Sequence, residues 1–506
     1  MNIILGTEGT YPHSFGGVSV WCDQLVQGMP EHSFHVVALT GTGTEPMVWE
    51  MPEHVTAESV PLWGPPPGGR PPQGRDARRF EQLFRAFLEL IIIPSAAAEK
   101  VFPSVLRELF EFALTAGTEN VRAALATERP VRWLLDAWSA RRESYARIGV
   151  RPSVHDAVTA LELLEHSLRP LLRPAPRGDV THAVSNGVAA MPGLAAKWAY
   201  GTPFCLTEHG IYLRERYLGF QRSPYTWPVK QVVLGFLRLL CATAYRAADL
   251  ITPGNHYNQR WEIRCGARPD LIQTVYNGVD PDHFPAAGAE PEVPTLSWAG
   301  RVDPIKDLET LIRAFAEVHR ELPTARLRLF GGTPKGGEAY RDRCEALAAE
   351  LGVGEQTTFE GRVGDIRDAY VAGSVVVLSS ISEGFPYTLI EAMTCGRATV
   401  ATDVGGVREA TGDTGLVVPP RDPGAMAEAC LRLLRDEVTR HRLGAAARAR
   451  SLEYFTVDHA VGSFRVIYTD LVAQCDPSLD ISPDPLADPF LGTSFDPADR
   501  SLARPA

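Results

Sequence analysis

Short apolar runs, each followed by a stretch of helical periodicity, constrain this chain more than any other feature. In the second half, Thr295–Ala299, Leu327–Phe330, Thr357–Phe359, Val375–Leu378, Thr399–Ala401 and Gly415–Val418 read as strands. Strands separated by helices run parallel and are buried on both faces by the crossovers. The same rhythm opens the chain: Asn2–Leu5 reads as a strand, Val18–Met29 as a helix and His35–Leu39 as a strand. It returns from Val180, with strands expected at His182–Val184, Phe204–Thr207 and Leu250–Thr252. The fold class is therefore α/β, with two parallel-sheet, Rossmann-like domains. A chain of 506 residues is too long for one core and fits that division. No internal sequence repeat relates the halves.

The expected organisation is an N-terminal domain over 1–284 and a C-terminal domain over 285–455. Between them lies a polar loop rich in Pro, Ala and Glu. A helical insertion is expected at about 76–172, after the turn-rich Trp63–Gly69. There Phe80, Leu83, Phe84, Phe87, Leu88 and Ile91 recur at helical spacing up to Pro94. Residues 456–475 read as a final crossover helix, with Val457, Val461, Phe464, Ile467 and Leu471 on one face. The acidic, proline-rich 476–506 reads as a disordered tail.

A net charge of −11 argues against non-specific nucleic-acid binding. The cysteines are scattered singly, without C-x-x-C spacing, and read as buried thiols in a reducing compartment. The N-terminus lacks a signal-peptide pattern, and Gln231–Ala244, interrupted by Arg238, is too short to span a bilayer. A cytoplasmic location is the expectation.

Four constellations sit at strand ends, where α/β sheets bind ligands. In Glu383-Gly384-Phe385-Pro386-Tyr387-Thr388-Leu389-Ile390-Glu391, two glutamates lie eight positions apart. Pro386 suits a first helical turn, so the helix is expected to start near Phe385 and to offer its N–H groups to a pyrophosphate. Glu391 would then face a ribose diol and Glu383 the sugar hydroxyls. In Gly300-Arg301-Val302-Asp303-Pro304-Ile305-Lys306, two cations at one strand end suit a diphosphate leaving group. In His13-Ser14-Phe15-Gly16-Gly17-Val18-Ser19, paired glycines let backbone approach a ligand closely. The loop is not G-x-G-x-x-G, which disfavours a nicotinamide enzyme. Leu206-Thr207-Glu208-His209-Gly210 places a histidine at a strand end. Taken singly, each has a plain structural alternative: a solvated helix start, a tight turn or a core histidine. No D-x-D element stands at a convincing strand end, so no metal is expected.

Together with Tyr276-Asn277-Gly278-Val279-Asp280, these motifs resemble, in order, the retaining GT-B glycosyltransferases of family 4, over residues 6 to about 420. Glu8-Gly9-Thr10-Tyr11-Pro12, Thr207–Tyr212, Pro304–Asp307 and Ile381–Met393 are similar to the PelF subgroup of that family. Ser14-Phe15 and Trp21-Cys22 depart from it. The resemblance implies two domains facing across a cleft, and a UDP-sugar donor, UDP-glucose foremost. It also implies a glycan acceptor, a role in exopolysaccharide synthesis beside a membrane-embedded complex, and no cofactor. It assigns catalytic roles to Glu383, His209, Arg301 and Lys306. Donor contacts fall to Gly16, Gly17, Arg301, Lys306, Arg362, Glu383, Gly384, Phe385, Pro386, Tyr387, Thr388, Leu389 and Glu391. Two other classes compete: a non-catalytic UDP-sugar-binding subunit, which would use the same residues, and a nucleotide-sugar epimerase on the same architecture, against which the Glu383/Glu391 pattern argues.

Overall fold

The computed structural model describes residues 1–475 apart from Pro66 and Pro94, so the expected tail at 476–506 lies outside the described residues. The first sheet contains β1 (Asn2–Glu8), β2 (Ser33–Thr40), β3 (Val55–Pro61), β4 (Val180–Ala183), β5 (Phe204–Glu208) and β6 (Leu250–Pro253). Its order is β3-β2-β1-β4-β5-β6, and every pairing is parallel. The second contains β7 (Thr295–Ala299), β8 (Arg326–Phe330), β9 (Thr357–Gly361), β10 (Val375–Leu378), β11 (Ala398–Thr402) and β12 (Leu416–Val418). Its order is β12-β11-β10-β7-β8-β9, again all parallel. Strand order reverses direction between β1 and β4 in one sheet and between β7 and β10 in the other. At such points adjacent loops diverge and leave a crevice.

β3 was not expected. Its sequence, Val-Thr-Ala-Glu-Ser-Val-Pro, has no apolar run because it is an edge strand. Glu58 on it pairs with Arg173 at 2.7 Å. The hydrogen bond from the neighbouring His35 and this contact with Arg173 hold its carboxyl down at about 2.

Side-chain alternation along β1 divides the first domain into two cores. Ile4 faces the inserted helices, whose Phe84, Phe87 and Phe102 are fully buried. Ile3 and Leu5 face the opposite layer, built from the helix Gly17–Gln27 and the helix Val457–Cys475. The last helix therefore follows the second sheet in sequence yet packs on the first, through Val461, Phe464, Ile467, Tyr468 and Leu471. The two chain crossings between the domains lie side by side, with Val279 bridged to Thr456. A Cβ on Gly278 would stand 2.2 Å from the Thr456 carbonyl oxygen, so only glycine permits this approach.

The inserted helices run from Gly74 to Leu168, between β3 and β4. The apolar stretch at Gln231–Ala244 lies within the helix Trp227–Ala247, most of which is buried. Among the described residues, no helix is long and apolar enough to cross a membrane. The cysteines Cys22, Cys205, Cys241, Cys344, Cys395 and Cys430 are buried free thiols, and Cys265 is partly buried.

Candidate active site

The loops that follow β7 and β10 flank the crevice of the second sheet, and they are laced together. Asp303 caps a single 3-10 turn, Pro304–Lys306, by accepting from the Ile305 N–H at 2.9 Å. Lys306 thus stands on this turn, just before the helix Leu308–Glu321 rather than within it. Its Nζ donates to Glu383 Oε1 at 2.5 Å, and Ser380 Oγ donates to the same oxygen at 2.5 Å. Ser379 Oγ donates to the Lys306 carbonyl at 2.7 Å, and the Ile381 N–H to the Ile305 carbonyl at 2.9 Å. Two residues chosen separately from the sequence are therefore an ion pair, with side chains only 18% and 11% exposed. Arg301 is exposed at the end of the neighbouring strand.

The helix carrying the second glutamate spans Tyr387–Thr394, with Pro386 at its N-cap. It begins two residues later than the proline rule predicts. Phe385 is held in the core, its ring stacked on Tyr276 at 5.1 Å and its carbonyl accepting from Asn277 Nδ2 at 3.0 Å. That anchor keeps the chain extended through Pro386. Phe385, Pro386 and Leu389 are buried, so their side chains face the core and only their backbone can meet a ligand. Thr388 is partly buried in the first turn, and the turn's orphan N–H groups point out of the helix end. Tyr387 reaches across to the first domain: its hydroxyl donates to Gln24 at 3.2 Å, and a Cβ on Gly17 would touch its ring at 3.4 Å.

Glu391 accepts a hydrogen bond from the Tyr370 hydroxyl. Burial pushes its carboxyl up to about 7, against the lowering effect of that bond. A ribose diol donates best to the ionised form. If Glu391 is the ribose contact that the resemblance implies, binding of a uridine nucleotide should weaken as pH falls below about 7, approaching tenfold per unit for one coupled proton. Titrations of the wild type and of Glu391→Gln across pH 5.5–8.5 check this. The variant should lack the part of the slope due to Glu391 and keep only the ligand's own.

On the first domain, Gly16 is the extended N-cap of the helix Gly17–Gln27, and both glycines are exposed. His209 follows β5. Among the described residues its Nε2 is buried without a partner, and burial lowers its pKa to about 4, so the ring is neutral at pH 7. Its orientation comes from Trp21, whose ring meets it edge-on at 4.9 Å. Trp21 packs in turn on Phe464 at 5.2 Å and on His182 at 5.6 Å. His182 bonds the Tyr468 hydroxyl and Thr207 Oγ1, each at 2.7 Å. Sequence reading missed Trp21. Its place four residues after Gly17, on the same helix face, was the available signal. Glu8, which opens the first of the subgroup-like motifs, lies at the end of β1 and pairs with Arg216 at 2.8 Å.

The two halves of the site touch through glycine. A Cβ on Gly384 would lie 2.0 Å from the His209 carbonyl oxygen, so the Glu383 loop rests directly on the histidine backbone. Beneath it, Gly406 N–H donates to the Gly384 carbonyl at 2.8 Å. Gly405, at φ +56°, has room for no side chain, with the Glu383 carbonyl 1.9 Å from its Cβ position. Glu383, Lys306, His209 and the helix end at Tyr387 thus converge on one cleft. Arg362 stands apart, exposed after β9, with its guanidinium over the ring of Phe15.

Residues 1–270, just over half of the chain, match a family described as a domain of unknown function, DUF3492. Residues 293–436 match the glycosyl transferases group 1 family. A D-inositol 3-phosphate glycosyltransferase from Frankia alni is 32% identical over 295 residues, covering 54% of this chain and 70% of the relative. One from Streptomyces bingchenggensis is also 32% identical, covering 48% of this chain and 54% of the relative. The chain spans only about half the length of several such curated relatives. Among solved structures, Anabaena HepE in complex with UDP aligns at TM-score 0.58 and 16% identity, over 93% of this chain and all of that one. Sucrose-phosphate synthase from Thermosynechococcus elongatus aligns at 0.57 and 20%, over 94% and 99%. At those identities the likeness is one of fold.

Proposed function

The chain belongs to the group 1 glycosyltransferases, and from that premise we propose that it is a retaining hexosyltransferase using a UDP-sugar, UDP-glucose foremost, without a metal. The acceptor is a glycan, and the setting is cytoplasmic exopolysaccharide synthesis of the PelF kind, beside a membrane-embedded assembly. The observation that carries the reading is the convergence of Lys306, Glu383 and the backbone of His209 at the crevice between β7 and β10. The UDP found with a solved structure of the same fold supports the choice of nucleotide.

In this reading the diphosphate sits on the N-terminus of the helix Tyr387–Thr394. Arg301 and Lys306 neutralise the charge that grows on it as the glycosidic bond breaks. Lys306 must turn from Glu383 toward phosphate, which frees the Glu383 carboxylate for the donor sugar's hydroxyls. The neutral His209 contacts the sugar from the other wall. An oxocarbenium-like state forms, and the leaving phosphate oxygen takes the proton of the incoming acceptor hydroxyl on the same face. The protein's own part is positioning and charge stabilisation.

Calorimetric titration with UDP, GDP and ADP, without added metal, tests the donor site. UDP should bind most tightly, Glu391→Ala should lose that binding, and UDP-glucose should be turned over to UDP. Binding none of the three nucleotides would sink the reading. A Lys306→Ala chain that still supports polymer output would point to a non-catalytic subunit.

A further inference from the structure

Phe15, immediately before Gly16-Gly17, departs from the subgroup pattern and has no part in the chemistry above. Its ring is 60% exposed, yet the loop beneath it is built rigidly. The ring leans on Trp49 at 5.5 Å, and Trp49 leans on the fully buried Tyr11 at 5.9 Å. Trp49 Nε1 donates to the Ser14 carbonyl at 2.9 Å, and Ser14 Oγ donates to the Gly9 carbonyl at 2.8 Å. An isolated apolar side chain at a surface needs no explanation. One held in place by its own polar and aromatic scaffold, and aimed across a cleft, is a preorganised contact.

The group it faces is Arg362, whose guanidinium carbon is 5.7 Å from the ring centroid. Arg362 follows β9, which lies two strands from β7, whose end carries Arg301. At about 4.8 Å per strand, the two arginines mark positions about 10 Å apart along the sheet. That separation suits the two ends of a nucleoside diphosphate, its phosphates and its base.

We propose that Phe15 is a nucleobase-binding residue contributed by the first domain, stacking the base of the nucleoside diphosphate donor between its ring and the Arg362 guanidinium. The inference rests on the donor site proposed above and extends it to the opposite wall. Two stacking contacts of about 3.5 Å each need about 7 Å, so the walls must part by only about 1 Å from the 5.7 Å seen. Every base has a π-face, so this contact adds affinity without choosing among bases.

The test titrates UDP into the full chain, as wild type, Phe15→Ala, Phe15→Tyr, Arg362→Ala and Phe15→Ala/Arg362→Ala. Melting temperatures confirm that each variant folds, and the exposed position makes no change expected. Phe15→Ala should bind UDP about tenfold more weakly, and Phe15→Tyr within about twofold of wild type. The double variant should be less than additive with Arg362→Ala. Wild type that binds UDP, together with Phe15→Ala that binds it equally, overturns this inference and leaves the donor site standing. Wild type that binds no UDP removes both.

Discussion

Lys306→Ala should lower kcat/KM for UDP-glucose by about 10²–10³-fold, the roughly 2.7–4 kcal/mol lost with one preorganised electrostatic contact. On the proposed mechanism the loss should fall on kcat, because the charge that Lys306 would meet grows only as the bond to the leaving phosphate breaks. In the resting structure this charge is stored against Glu383 at 2.5 Å. Glu383→Gln removes that partner and so should tighten UDP binding modestly, while lowering kcat through the lost sugar contact. The pair is coupled, so Lys306→Ala/Glu383→Gln should cost well under the sum of the single losses. Arg301→Ala belongs to the same class, with a loss of similar size, but Arg301 lies outside that pair. Its effect should therefore add to that of Glu383→Gln. Steady-state kinetics on the full set check these statements, and Lys306→Ala within tenfold of wild type removes the assignment.

Gly384→Ala should separate donor binding from transfer. The added methyl would lie 2.0 Å from the His209 carbonyl, and backbone on both sides leaves no flexible side chain to yield. Overpacking of this kind costs about 1–3 kcal/mol, and the least costly relief is to move one domain away from the other. On the proposed reading UDP is held mainly by the second domain, so its affinity should fall by no more than the about tenfold that loss of the Phe15 contact brings. The rate of transfer needs both walls and should drop more than a hundredfold. Calorimetry paired with single-turnover UDP release distinguishes the two. Loss of UDP binding in step with rate would show instead that the loop had collapsed within its own domain.

Much of the architecture was legible because the central strands of the second sheet, β7, β10 and β11, are buried on both faces and so read as short, largely apolar runs. Thr295–Ala299 and Val375–Leu378 have the expected bounds. β3 was not legible, since an edge strand satisfied by Arg173 and His35 needs no apolar stripe. The start of the motif helix was misread because Phe385 obeys tertiary contacts with Tyr276 and Asn277 rather than local proline preference. At the site, the sequence shows which residue types stand at strand ends but not which of them face each other. The Lys306–Glu383 pair, the placement of His209 by Trp21 and the reach of Tyr387 to Gln24 all join residues far apart in the chain. The first two depend on how strands and helices assemble within one domain, and the third on how the two sheets are set against one another, which no local pattern encodes.

The helix Val457–Cys475 closes one face of the first sheet after the whole second sheet has been made. On the ribosome this reverses the usual N-to-C order of maturation. The second domain can finish while Ile3, Leu5 and Val36 still lack the Phe464, Ile467 and Leu471 that cover them. At roughly 5–20 residues per second, that apolar face waits tens of seconds between the synthesis of β2 and that of its cover. The nascent first domain is thus a natural client for a holding chaperone. A premature stop near residue 455 should yield an intact second domain tethered to a sticky, unfinished first one.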